Sequence, residues 1–83
     1  MEINFINGSF SKAEAIELVD QLIDVKIKFH EKKIGHSENI EDVKLREKRI
    51  IQLQNEHRKF KEDLKRVEDK LSMKAKIKIS SYE

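Results

Sequence analysis

Nine positions spaced alternately three and four apart run from residue 43 to residue 71: Val43, Arg46, Ile50, Leu53, His57, Phe60, Leu64, Val67 and Leu71. Seven of the nine are apolar. Such an a/d seam, held over about four heptads, predicts a helix that packs lengthwise against other helices. Ser37 or Asn39 can cap its start, and Glu38, Glu41 and Asp42 suit the positive end of its dipole. The predicted helix therefore covers residues 38 to 71.

A second helical pattern precedes it. Ser11 and Glu14 have the spacing of a capping box, while Gly35 is placed to end the helix in a left-handed conformation behind Lys32 and Lys33. This predicts a helix over residues 11 to 34. It carries two apolar stripes. Ile16, Val19, Ile23, Ile27 and Ile34 form one, with His30 inside it, and Leu18, Leu22, Val25 and Phe29 form the other on a different face. A connection of about four residues makes the two helices antiparallel neighbours, an αα-hairpin.

The ends alternate at period two instead. Residues 73 to 80 place Met73, Ala75, Ile77 and Ile79 against Lys74, Lys76 and Lys78, the pattern of a half-buried strand, and residues 2 to 6 alternate more briefly. Both strands fall at the open end of the hairpin and run antiparallel. The expected fold is mainly α: an antiparallel coiled-coil hairpin flanked by short terminal strands, forming a single domain over residues 1 to 83. A two-stranded ribbon is marginal in water, so it must pack on the helices or pair with a second copy.

Composition narrows the functions. Charged residues make up 41% of the chain but nearly cancel, at a net +2, so the helices are expected to be solvated on mixed-sign faces. The chain has no cysteine, which rules out disulfides and cysteine-based zinc sites. No run of apolar residues exceeds two, and the first residues lack a secretory pattern, so a soluble, cytoplasmic protein without membrane association is expected. A chain this short rarely buries enough apolar surface alone. With disulfides excluded, self-association into a homodimer or higher oligomer is the expected supplement. In that arrangement Leu18, Leu22, Val25 and Phe29 form the oligomer interface, and the seam of the second helix meets the first.

Candidate chemistry is sparse. His30, His36 and His57 show neither the paired-histidine nor the Glu-x-x-His spacing of helical metal sites. His57 reads as a polar seam residue that sets register. Arg46, also in the seam, is expected to reach toward water and pair with Asp42. All four arginines lie on the second helix, and no catalytic triad or pair of carboxylates stands out, so no enzymatic activity and no cofactor is expected. Lys74, Lys76 and Lys78 form a row that suits phosphate contacts, yet lysines on an edge strand commonly guard against aggregation. The row lacks arginine and has only Tyr82 as an aromatic neighbour. Nucleic acid is therefore not the expected partner, though binding through this lysine face is the alternative. The favoured role is structural: interaction with itself or with another protein.

Overall fold

The computed structural model describes residues 1–82. Its elements are β1 (Glu2–Phe10), α1 (Lys12–Gly35), α2 (Ile40–Leu64) and β2 (Leu71–Lys78). The helices form a hairpin, and the strands pair antiparallel as a two-stranded ribbon joining the two ends of the chain.

Local chemistry sets most boundaries. The Ser11 hydroxyl accepts from the Glu14 amide at 3.1 Å, and the Glu14 carboxylate accepts from the Ser11 amide at 2.9 Å, completing the expected capping box. Asn39 caps α2 by accepting from the amides of Glu41 and Asp42. Gly35 departs from expectation: its φ is negative, and the cap falls on His36 with φ −106° and ψ 0°. The amides of His36 and Ser37 donate to the carbonyls of Lys33 and Ile34, so short-range bonds close the helix without a left-handed residue.

α2 ends at Leu64, seven residues before the expected boundary at 71. Val67 and Leu71 therefore leave the helical seam: Val67 lies in the connection and Leu71 opens β2. The amides of Lys65, Arg66 and Val67 each donate to a carbonyl three residues back, tightening the final turn. Beyond it, Asp69 accepts from the Lys12 amide at 2.8 Å, satisfying a free donor at the start of α1. Leu71 then pairs with Phe10. A helix continued to residue 71 would lose that amide contact and the last rungs of the ladder.

β1 reaches Phe10, four residues beyond its expected end at 6, and β2 runs over Leu71–Lys78 in place of 73 to 80. The ladder shifts register between Asn4 and Ile6, leaving Phe5 without a partner. This bulge lets Ile3 and Ile6 share a face although they are three residues apart. Ile3–Ile77, Ile6–Ala75, Gly8–Met73 and Phe10–Leu71 form the apolar pairs, while Glu2–Lys78, Asn4–Lys76, Asn7–Lys74 and Ser9–Ser72 occupy the other face. Reciprocal 2.7 Å bonds between Met1 and Ile79 extend the pairing by one rung.

Buried side chains concentrate where the ribbon meets the helices. Ile6, Ala15 and Leu64 are the buried hydrophobic residues, and all belong to that end. Val67 and Leu71, although off the helix, still line one apolar hollow with Phe60 and Leu64. None of the helices is long and apolar enough among the described residues to cross a membrane.

Candidate functional site

The contact between α1 and α2 is polar at two places. On the face of α1 that meets α2, a heptad spacing runs through Ile16, Asp20, Ile23, Ile27, His30 and Ile34, with Asp20 beside Val19 of the expected apolar stripe, so its polar members are Asp20 and His30. The seam of α2 is polar at Arg46 and His57. The fold matches these positions in pairs: His57 Nε2 bonds the Asp20 carboxylate, and the Arg46 guanidinium donates to His30 Nδ1 at 3.3 Å. In an antiparallel pair the residue numbers at facing positions sum to a near-constant value. The sums are 77 for Asp20 with His57 and 76 for His30 with Arg46, so both pairs specify one register.

Each pair has a further member. Lys61 lies 3.5 Å from the Asp20 carboxylate. The carboxyl of Asp20 is held below its ordinary value, first by the hydrogen bond from His57 and further by Lys61, with burial opposing. Arg46 also meets Asp42 at 3.3 Å, the expected contact one turn back. Burial, followed by the charges of Arg46, Lys26 and Arg49, holds His30 below its ordinary value. The expected seam residues Val43, Ile50, Leu53, His57 and Phe60 are half-buried, and Leu64 is buried.

Asp20, the partner of His57, lies 37 residues away in sequence and carries no local signal of that role. Asp20 looks like a polar interruption between Val19 and Ile23 when α1 is read alone. Its role emerges when both heptads are written antiparallel and their polar positions are aligned.

The outer stripe of α1 has a different environment. Leu18 and Leu22 are half-buried, whereas Val25 is 66% exposed and Phe29 52% exposed. Leu18 lies beside Phe10 of β1 in a shallow hollow. The Phe29 ring has two close neighbours on its own helix: Lys33 Nζ lies 5.7 Å from its centroid, and His30 meets it edge-on at 5.9 Å.

Lys74, Lys76 and Lys78 are exposed on the outer face of the ribbon. The Glu2 carboxylate stands between two of them, 3.7 Å from Lys76 and 4.0 Å from Lys78. His36 is exposed beyond the end of α1. Among the described residues, no group of three or more His, Asp or Glu side chains is arranged to hold a metal ion. No protein-family model, curated protein or solved structure matches the chain.

Proposed function

We propose that the protein is a self-associating helical module with a structural or protein-interaction role and no chemistry of its own. The carrying observation is the outer stripe of α1, where Val25 and Phe29 stay exposed after the chain has folded. At 100° per residue this stripe lies roughly 150° around the helix from the face that meets α2. The hairpin cannot cover both faces of α1.

A second copy fits the pattern. An antiparallel two-fold pairing of α1 with its symmetry mate sets Leu18 against Phe29 of the other copy and Leu22 against Val25. One stripe thereby serves as both halves of an isologous interface. The resulting four-helix assembly joins two hairpins through α1, with coiled-coil packing along the seams. An assembly of this kind in the cytoplasm, meeting itself or another protein, also accounts for the weak core of a single chain. Nucleic-acid binding by the ribbon is less supported, because Glu2 already neutralises part of the Lys74, Lys76 and Lys78 row.

Size exclusion with light scattering tests the reading. The native protein is expected to be a dimer or larger at micromolar concentration, and Phe29→Glu is expected to reduce the mass to that of one chain by burying an unpaired carboxylate at the interface. A native monomer, or a Phe29→Glu variant with undiminished mass, would refute this interface.

A further inference from the structure

Midway along the hairpin, the groove between the helices opens into a cleft of about 330 Å³. Lys26 and His30 line it from α1, while Arg49, Gln52, Leu53 and Glu56 line it from α2. Lys26 and His30 are one turn apart, and the four α2 residues follow at spacings of three, one and three along one helical face. The two polar pairs that set the register thus bring these six together.

The Arg46 contact also decides what His30 offers. A guanidinium has donors and no acceptor, so His30 Nδ1 must accept and the ring proton must reside on Nε2. His30 is therefore an N–H donor at its other nitrogen, and among the described residues no hydrogen bond occupies that nitrogen. Lys26 and Arg49 add two cations, neither in an ion pair among the described residues, and Gln52 adds an amide. Glu56 is the one carboxylate in the lining. Asp42, the nearest acidic group to Arg46, is already engaged by it. Burial and then the nearby charges of Arg46, Lys26 and Arg49 disfavour protonation of His30, which keeps the ring a neutral donor.

We propose that this cleft binds a small tetrahedral oxyanion of the phosphate class, with Lys26 and Arg49 supplying charge and His30 Nε2–H and Gln52 supplying directed donors. The cleft donates from both helices, and binding there ties α1 to α2 across a stretch where the groove has opened. The self-association reading neither requires nor supplies this site: the cleft opens between α1 and α2, although Phe29 of the outer stripe meets the His30 ring edge-on.

Inorganic phosphate and methyl phosphate are the probes, titrated at pH 7.5 and constant ionic strength with NMR detection of the His30 ring and the Arg49 side chain. A saturable shift at both residues is expected, without a comparable shift at exposed His36. Lys26→Gln and Arg49→Gln should each weaken binding roughly fivefold, the scale of one lost charge-assisted contact. Lys44→Gln, at an exposed α2 position outside the cleft, should leave it unchanged. Stronger binding of the monoester would identify a phosphorylated ligand, and stronger binding of inorganic phosphate a free anion. Non-saturable shifts, equal response at His36, or retained affinity in Arg49→Gln would overturn the proposal.

Discussion

The two ends of the hairpin are held in different ways. At the ribbon end, Ile6, Ala15 and Leu64 are buried, the Lys12 amide is capped by Asp69, and the strand ladder closes the chain on itself. At the turn end, Ile34 and Val43 are only half-buried, and the polar contact of His30 with Arg46 carries the register. Dry packing yields free energy in proportion to area removed from water, whereas exposed polar pairs contribute little and chiefly choose among arrangements. The comparison assigns stability to one end and specificity to the groove leading away from it. Exposed apolar side chains occur in both regions, Ile3, Phe5 and Ile77 on the ribbon and Val25 and Phe29 along α1, so the contrast concerns what is buried rather than what is exposed.

The largest effect is expected from emptying the ribbon end. Leu64→Ala removes a buried side chain that 8% exposure leaves almost fully enclosed, and should lower unfolding free energy by about 2–3 kcal/mol. Ile34→Ala, the same kind of truncation at the turn end, should cost clearly less because its site already admits water. Urea denaturation of both variants at one protein concentration measures the contrast. Equal losses would erase the distinction between the ends.

Acid should act on the groove. His30 has a folded value below its ordinary 6.5, so at mildly acidic pH the unfolded chain binds more protons at this site than the folded one. Its contribution is intact above 6.5 and is lost as pH falls through the folded value. Asp20, also lowered, gives a second loss of the same sign as pH falls below its ordinary 3.8. Protonating His30 also removes the acceptor that Arg46 uses. Stability measured from pH 7.5 downward should therefore begin to drop below about pH 6.5, and His30→Gln should flatten that first step. A native protein whose stability rises between pH 6.5 and pH 5 would contradict this account of the groove.

These contrasts also mark where sequence patterns carried information. Ser11 with Glu14, Asn39, and the alternation from Met73 to Ile77 each act through near neighbours, so their signals survive in a linear reading. The end of α2 does not. The heptad continues through Val67 and Leu71, and nothing local stops it; Phe10 and Lys12, far back in the sequence, capture Leu71 and Asp69. β1 was obscured for a related reason. Asn7, Gly8 and Ser9 are turn formers by composition, and the bulge at Phe5 shifts the alternation that would have revealed the longer strand. Asp20 and His57 required two helices to be superposed before either residue had an evident partner. The cationic cleft was hidden in the same way, since Lys26 stands alone on α1 until α2 brings Arg49 beside the same opening.

The smallest effect returns to the turn end and to Gly35. The sequence suggests a left-handed cap there, for which glycine would be the favoured residue. Instead φ is negative, the residue is the last of α1, and a Cβ added to it would meet no atom within 4 Å. Alanine can adopt this conformation without strain and leaves the unfolded chain with less backbone freedom to lose. Gly35→Ala should therefore stabilise the protein by about 0.4–1 kcal/mol, read as a higher urea midpoint with an unchanged slope. A destabilised variant would show that Gly35 needs the left-handed region after all, and that the turn end is constrained by its backbone rather than by the polar pair beside it.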